Sequence, residues 1–210
     1  MKSISEALTW RYATKQFDPT KKLNEETINQ ILEAGRLSPS SFGLQPWKFI
    51  LVENTTLRTK LREAAYDQPQ VTDASYIIVL AYKNNIDESY VDTYMKSTAT
   101  VRSITIDKLA DFKTYLIDSI GKKSAEDIKN WNARQVYIPL GITLETAALL
   151  EVDACPMEGF DTTKFNELLG LNEIRYSGVV MLALGYRSPT DTHASEIKSR
   201  FLQNEIVIRK

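Results

Sequence analysis

The sequence predicts a single domain that combines α-helices with a few buried β-strands. Three short runs rich in Ile, Val and Leu, at residues 49–52, 74–82 and 179–184, have the length and composition of buried strands. The stretches between them carry helix-capping residues and apolar side chains at helical spacing. A chain of 210 residues suffices for one good core and does not require a second, so residues 1–210 are predicted to form one domain.

Helix signals account for most of the remaining chain. Ser3 begins a capping-box pattern, and Asn24 is placed to cap a second helix. The longest regular stretch, residues 124–152, is predicted to be one helix that is broken or kinked at Pro139. Residues 87–121 are polar and predicted to be helical in pieces, with a lid, a dimer arm and plain surface all open as roles.

The second half of the long predicted helix is apolar on nearly every side. From residue 136 to residue 150 the pattern is typical of a helix that is buried all round. A domain of this size rarely encloses such a helix alone, so association into a dimer is one explanation. Packing of the helix against a sheet within the subunit is the other.

Net charge and the N-terminal residues exclude several classes of protein. The net charge of −1 argues against a nucleic-acid-binding protein that relies on overall charge. The first residues include an early Glu6 and no long apolar stretch, so they match neither a signal peptide nor a membrane anchor. We therefore expect a cytoplasmic protein with no nucleic-acid or membrane partner.

Few side chains are available for direct catalysis. With one His and one Cys the chain lacks ligands for a zinc site of the usual type, and no metal site is predicted. A Cys–His nucleophile pair would require His193 to meet Cys155, but His193 lies in a polar run typical of surface and Cys155 resembles a small buried hydrophobe. The sequence contains no Gly-rich phosphate loop and no nucleophile-elbow motif. If the protein is an enzyme, we expect a bound cofactor to carry the chemistry.

The loop at residues 38–47 is the first candidate ligand-binding segment. Pro39 and Pro46 fix their own backbone and Gly43 permits a positive φ, so the loop is predicted to be rigid. Polar loops of this kind often contact ligands. A solvated helix-to-strand turn is the alternative.

Two pairs of cations are further candidates. Arg11 and Lys15 lie four positions apart at the end of the first helix, where they can converge on an anion or simply complement the helix dipole. Lys198 and Arg200 lie two positions apart near the C-terminus and project to the same side of an extended chain. They form either a second anion clamp or part of a solvated tail.

Residues 155–161 are predicted to form a bend bracketed by Pro156 and Gly159. The backbone N–H groups of Glu158 and Gly159 can point at a ligand there, because glycine has no Cβ to block an approach. A general acid or base role for the Glu158 side chain is the alternative, although no second carboxylate lies at a suggestive spacing.

Five short motifs, taken in chain order, match one family. They are Arg11-x-x-x-Lys15-x-Phe17, Ser38-Pro-Ser-Ser with Gln45-Pro-Trp47, Asp73-Ala-Ser75, Pro156-Met-Glu-Gly-Phe160 and Lys198-Ser-Arg200. No single motif is specific, but the set spans nearly the whole chain. Together the motifs resemble the oxygen-insensitive nitroreductase family, whose members are homodimers that hold FMN at the subunit interface.

The resemblance implies an α+β fold of nitroreductase type. A central, mainly antiparallel sheet would be flanked by helices and completed by the C-terminal strand of the partner subunit in a homodimer. The alternating residues 205–209 are the implied strand.

The resemblance also implies how the two ends of FMN are held. Arg11, Lys198 and Arg200 would grip the phosphate, a use that suits forked guanidinium donors. Lys15 would face the N1 and C2-carbonyl edge of the ring, where negative charge builds on reduction. Ser40 would reach the cofactor from the other subunit.

The ring itself would lie against residues 156–159. Pro156 and Met157 would back the ring, and the backbone N–H of Glu158 would address N5, so the chemistry needs no catalytic side chain. The implied cofactor-binding residues are Arg11, Tyr12, Ala13, Lys15, Ser40, Asp67, Gln70, Pro156, Met157, Glu158, Gly159, Lys198 and Arg200.

Three of these positions depart from the pattern common in the family. Ala13 stands where serine is frequent, so one hydroxyl contact to FMN is missing. Asp67 falls at a frequent asparagine, and an ionised carboxylate cannot donate to the carbonyl oxygens of the flavin. Gln70 falls where relatives often carry lysine, which leaves Lys15 as the main cation at the pyrimidine edge. A lower flavin reduction potential than in relatives with both lysines is predicted.

The implied activity is a ping-pong oxidoreduction in which NADH or NADPH delivers hydride to flavin N5 and a small electron-poor acceptor takes the electrons. Nitroaromatics, quinones and activated alkenes are the candidate acceptors. A same-fold flavin enzyme with different chemistry, such as reductive dehalogenation, enone reduction or flavin supply, is one alternative. A non-enzymatic interaction dimer is the other. The sequence does not distinguish NADH from NADPH.

Overall fold

The computed structural model describes residues 2–210, in which one sheet carries helices on both faces. The strands are β1 (Trp47–Val52), β2 (Tyr76–Lys83), β3 (Asp153–Met157) and β4 (Tyr176–Gly185). The helices are α1 (Ile4–Trp10), α2 (Glu25–Arg36), α3 (Thr55–Ala64), α4 (Gln70–Asp73), α5 (Glu88–Val101), α6 (Ala110–Gly121), α7 (Ala125–Leu149), α8 (Thr162–Leu168) and α9 (Gln203–Ile206).

The sheet has the strand order β1-β2-β4-β3, and each neighbouring pair is antiparallel. The register places Ile78 of β2 opposite Leu51 on one side and Leu182 on the other. The three predicted strands correspond to β1, β2 and β4, and these predictions are confirmed. The mainly antiparallel sheet that the family resemblance implies is confirmed as well.

The edge strand β3 takes up the first part of the bend that was predicted between Pro156 and Gly159. Pro156 and Met157 pair with β4, so the bend begins only after Met157 and the prediction of a bend at Pro156 is wrong. Ala154 accepts a hydrogen bond from the Thr14 N–H at 3.3 Å, so its polar groups face away from β4. Because backbone polar groups alternate along a strand, Pro156 also turns its nitrogen to this outer edge, where no ladder hydrogen bond is lost.

Alternating side chains of the sheet build a core on each face. Ile77 and Val79 of β2 pack with Leu61 of α3 and Phe165 of α8 on one face. On the other face, Ile78 and Leu80 pack with residues of α2 and α7. A strand that is buried on both sides explains why β2 appears in the sequence as a continuous apolar run.

The predicted helix caps are present. The Ser3 hydroxyl accepts a hydrogen bond from the Glu6 N–H at 3.3 Å, and Asn24 Oδ1 accepts one from the Thr27 N–H at 2.8 Å. These bonds satisfy N–H groups that have no partner within the first turn of α1 and α2, so both helices start where the sequence predicts.

Helix α7 passes through Pro139 as one element, so the prediction of one long helix is confirmed, a break at Pro139 is excluded, and a kink there stays a prediction. The Thr143 hydroxyl donates to the Pro139 carbonyl oxygen at 2.8 Å within this stretch. Packing against α2 and β2 on one face holds the helix together despite the missing proline N–H. The opposite face is open, because Tyr137 and Ile138 remain 40% and 37% exposed. The chain therefore covers only one side of a helix that is apolar on most sides.

Residues 87–121 form α5, a 3-10 turn and α6, which confirms the prediction of a segment that is helical in pieces. Met95 of α5 and Leu116 of α6 are buried in a third core that also contains Leu44. Leu44 belongs to the polar loop at residues 38–47, so this helical pair supports that loop.

The C-terminal segment from residue 196 onward lies on the surface. Ile197 and Ile208 are 96% and 82% exposed, an unusual state for large aliphatic side chains. Residues 205–209 form no strand within the described chain, where the helical turn α9 and irregular backbone are found instead. A strand there needs the sheet edge of a partner and remains a prediction. No helix in the described part of the chain combines the length and hydropathy that a membrane span requires.

Candidate functional site

A cleft of about 670 Å³ lies between the two ends of the chain. One wall consists of residues 9–13 with Lys15, and the other consists of residues 193–200. The structure thus joins both predicted cation pairs in one place, because Arg11, Lys15, Lys198 and Arg200 all line this cleft. Tyr12 and Ala13 line it too.

The cations of the cleft lack acidic partners. Within residues 2–210 no carboxylate forms an ion pair with Arg11, Lys15, Lys198 or Arg200. Burial, followed by the nearby charge of Arg200, lowers the pKa of Arg11. The pKa of Lys198 is lowered by burial and then by the charges of Arg11 and Arg200. These shifts indicate that three positive charges lie close enough to repel one another.

Two observations describe the surroundings of Arg11 and Lys198. The Nε of Arg11 is buried and has no hydrogen-bond partner among the described residues. The Lys198 ammonium donates to the carbonyl oxygens of Leu8 and Arg11, at the C-terminal end of α1. A buried donor without a partner costs free energy, and an anion that accepts from the Nε of Arg11 would remove this cost.

A buried carboxylate, Asp191, joins the two walls. Its Oδ2 accepts hydrogen bonds from the Lys15 N–H at 2.8 Å, the Gln16 N–H at 3.1 Å and the Tyr12 hydroxyl at 2.9 Å. Burial alone would raise the pKa of Asp191, but hydrogen bonds from the backbone of Gln16, Lys15 and His193 and from Tyr12 outweigh it and lower the pKa to about 2. Asp191 is therefore ionised at neutral pH.

Beside Asp191, Arg187 fixes the aromatic side chains of the first wall. Its guanidinium carbon lies 4.4 Å from the ring centroid of Trp10 and 4.6 Å from that of Tyr12. Its Nε donates to Asp153 Oδ1 at 2.7 Å. Because this charge is paired, Arg187 does not add to the free cations of the cleft.

The first wall continues into the outer edge of β3. Ala13 forms an isolated parallel bridge with Ala154. Glu158 directly follows β3, and its backbone carbonyl oxygen accepts a hydrogen bond from the Phe160 N–H at 2.9 Å. The side chain is engaged too, since Oε1 accepts a hydrogen bond from the Tyr137 hydroxyl at 2.6 Å. These contacts leave the N–H as the Glu158 group that could address a ligand.

The next two predicted residues lie between α3 and β2, Asp67 in a turn and Gln70 at the start of α4. Asp67 forms an ion pair with Arg62 at 2.7 Å and is exposed. Gln70 is buried, yet its Oε1 has no hydrogen-bond partner in the described chain. The buried Arg58 donates to the carbonyl oxygens of Val71, Ala74 and Ser75 and so fixes the turn that carries Gln70.

Ser40 does not line the cleft of its own chain. Its hydroxyl accepts a hydrogen bond from the Gln45 N–H at 2.8 Å, and the neighbouring Ser41 N–H donates to Gln135 Oε1 at 2.8 Å. The Tyr94 hydroxyl donates to the Phe42 carbonyl oxygen at 2.9 Å, at a residue with φ of 56°. The loop at residues 38–47 is therefore held from several sides, as the prediction of rigidity requires.

Sequence reasoning missed His193 of the second wall and the neighbouring Asp191. His193, expected to be plain surface, lines the cleft, and its Nδ1 lies 3.1 Å from Asp191 Oδ1. Asp191 was not singled out at all. The only local signal is the Asp-x-His spacing, which occurs on many exposed loops and does not reveal burial. Among residues 2–210 no three His, Cys, Asp or Glu side chains gather as ligands for a metal ion.

Comparisons with known proteins agree on one family. The sequence profile described as the nitroreductase family matches residues 8–186. A protein of Staphylococcus haemolyticus named "Putative NAD(P)H nitroreductase" is 39% identical over 196 residues, which cover 88% of this chain and 88% of that protein.

Solved structures share the fold. The crystal structure of a protein from Bacillus subtilis named "putative nitroreductase" aligns with a TM-score of 0.86 at 19% identity and covers 98% of each chain. A second, from Exiguobacterium sibiricum and solved in complex with FMN, aligns with a TM-score of 0.83 at 22% identity and covers 100% of this chain and 98% of that one. The profile match and the close relative together show that the chain belongs to the nitroreductase family of oxidoreductases.

Proposed function

We propose that the protein is an FMN-dependent oxidoreductase that uses NADH or NADPH to reduce small electron-poor acceptors. The observation that carries this proposal is the cleft between residues 9–15 and 193–200, which is lined by cations without acidic partners and therefore suits an anion. Membership of the nitroreductase family and the FMN complex of a neighbour of the same fold support FMN as the source of that anion.

The residues of the cleft fit the phosphate of FMN. Arg11 offers a buried Nε that lacks a partner, and a phosphate oxygen is a suitable acceptor for it. Lys198 and Arg200 supply two further positive charges from the opposite wall. Burial and neighbouring positive charge lower the pKa of Arg11 and Lys198, so a dianion in the cleft would relieve this repulsion.

The residues beyond the phosphate cleft suit the ring system. Glu158 directly follows Pro156 and Met157 at the end of β3, and its N–H would address the ring from there. Lys15 offers a positive charge to the pyrimidine edge, and the unpartnered Oε1 of Gln70 offers an acceptor. Bound FMN would supply the redox chemistry, since its N5 can accept hydride from the nicotinamide and the reduced flavin can then pass the electrons to the acceptor. The protein binds, orients and shields these groups without an acid or base of its own.

We further propose that the working unit is a homodimer. The open face of α7 with Tyr137 and Ile138, and the exposed C-terminal residues Ile197 and Ile208, are apolar surfaces that a second copy would cover. Ser40, which lies outside the cleft of its own chain, would enter the site of the partner. A cytoplasmic location remains a prediction from the sequence.

Steady-state kinetics against a panel of acceptors test the activity. The proposal expects parallel double-reciprocal lines for NAD(P)H against a nitroaromatic or a quinone, as a shared pocket with alternating substrates requires. Flavin reduction without turnover of any nitro compound or quinone would favour a same-fold enzyme with different chemistry, such as enone reduction. Protein that stays colourless after incubation with FMN would favour an interaction dimer without enzymatic activity.

A further inference from the structure

Asp191 is the most completely hydrogen-bonded carboxylate near the cleft. Its side chain is 0% exposed. Besides the three donors to Oδ2, its Oδ1 accepts the His193 N–H at 3.2 Å and lies 3.1 Å from the His193 ring. No lysine or arginine in the described range pairs with it. A buried carboxylate of this kind is stable only while these donors remain in place.

The donors come from segments that are far apart in the sequence. Lys15 and Asp191 are separated by 176 positions, and each stands close to one of the two cation sets of the cleft. Arg11 precedes the first set of donors, and Lys198 follows the second. The Lys198 ammonium links the walls through the carbonyl oxygens of Leu8 and Arg11, but it adds to the positive charge of the cleft. Asp191 links the same walls with a negative charge, which offsets the repulsion between their cations before an anion binds.

We propose that Asp191 is the positioning residue that assembles the phosphate-binding cleft by joining its two walls. This inference rests on the proposed FMN function. Asp191 is not among the residues that line the cleft, and its contacts are with the residues of the walls and with Gln16, so it would act without contact to the phosphate. It acts through the placement of Arg11 on one wall and of Lys198 and Arg200 on the other.

Replacement of Asp191 by Asn distinguishes a positioning role from a simple charge effect, because the two roles predict opposite changes in the affinity for FMN. Removal of a negative charge beside three cations makes the cleft more positive, so a purely electrostatic role predicts tighter FMN binding. Asparagine keeps one acceptor oxygen and replaces the other with an NH2 group, which opposes the N–H donors that face it from one of the two walls. One set of wall contacts is lost, so a positioning role predicts weaker binding. Riboflavin lacks the phosphate and reports on the ring site alone.

The experiment measures the dissociation constants of FMN and riboflavin for the apoprotein by fluorescence quenching. For Asp191→Asn we expect FMN to bind about tenfold more weakly, with little change for riboflavin, so that the preference for FMN falls. Tyr12→Phe removes one donor, keeps the fold, and should show a smaller loss in the same direction. Asp161→Asn, at the N-cap of α8 far along the chain, is the matched control and should leave the preference unchanged.

Each outcome has a distinct meaning. An unchanged or increased preference for FMN in Asp191→Asn overturns the positioning role while the FMN function stands. Equal weakening of FMN and riboflavin overturns it too, since that is the signature of general destabilisation. If Asp191→Asn does not fold, the same test is made with Tyr12→Phe, through the ratio of its dissociation constants for riboflavin and FMN. Wild-type protein that binds neither ligand overturns the proposed function and this inference together.

Discussion

Arg11 should stabilise the holoprotein and destabilise the apoprotein. Its Nε is buried without a partner, and burial together with the charge of Arg200 lowers its pKa. For the apoprotein, the variant Arg11→Met removes an unsatisfied donor that costs about 1–3 kcal/mol and keeps most of the apolar contact of the side chain. We expect the free energy of unfolding of the apoprotein to rise by about 1 kcal/mol. A hydrogen bond to a charged group contributes about 1.5–3 kcal/mol, so FMN should bind roughly 10- to 100-fold more weakly.

Urea denaturation of the apoprotein and fluorescence titration with FMN measure the two effects. Arg36→Met is the matched control, because Arg36 lies on the surface and pairs with Glu33 at 2.6 Å. Its loss should change neither quantity by much, as exposed ion pairs contribute about 0–1 kcal/mol. If Arg11→Met lowers the stability of the apoprotein, the guanidinium has a structural partner and the argument for an anion site at Arg11 fails.

Four further predictions follow from the structure. Gly43 has φ of +71°, and a Cβ there would lie 2.6 Å from the Tyr94 hydroxyl oxygen, so Gly43→Ala should lower the free energy of unfolding by about 1–3 kcal/mol in urea denaturation. Ile138→Glu places a charge on the open face of α7, and analytical ultracentrifugation should show monomers that have lost FMN; FMN-loaded monomers would contradict the shared site. Gln70→Lys should raise the flavin midpoint potential by on the order of tens of millivolts in a spectroelectrochemical titration, and an unchanged or lower value would contradict the placement of Gln70 at the pyrimidine edge. The pKa of Asp191 is depressed to about 2, so its contribution to stability, ~2 kcal/mol relative to Asp191→Asn, should be constant above pH 5 and be lost as the pH falls through 4 toward 2; a loss between pH 6 and pH 8 would contradict this.

Much of the fold was predictable because local signals and tertiary packing agree. The strand β2 is buried on both faces, which leaves a continuous run of Ile and Val that has no other explanation at its length. Ser3 and Asn24 cap helices through bonds that span three residues, so the sequence alone reveals them. The edge strand β3 was missed because Pro156 is unfavourable in most strands and is tolerated here only by its outward nitrogen.

The site was predictable in its charges and unpredictable in its connections. Arg11 and Lys198 are recognisable in the sequence as cations, and the family motifs predict that both contact the same phosphate. Asp191 and His193 carry no such signal, because Asp191 is buried between segments that meet only in the folded chain and His193 lines the cleft through its contact with Asp191. The same holds for Arg58, whose charge is satisfied by three backbone carbonyl oxygens that no sequence pattern identifies.

In the proposed function this chain holds FMN and passes electrons from a nicotinamide to a small acceptor. The decisive test reconstitutes the purified protein with FMN and titrates it anaerobically, first with NADH and then with NADPH. The visible absorbance of the flavin reports its reduction. We expect a yellow protein whose flavin absorbance bleaches at one equivalent of nicotinamide per flavin and returns when a nitroaromatic or a quinone is added. Protein that takes up no FMN, or flavin that neither nicotinamide can bleach, would contradict it.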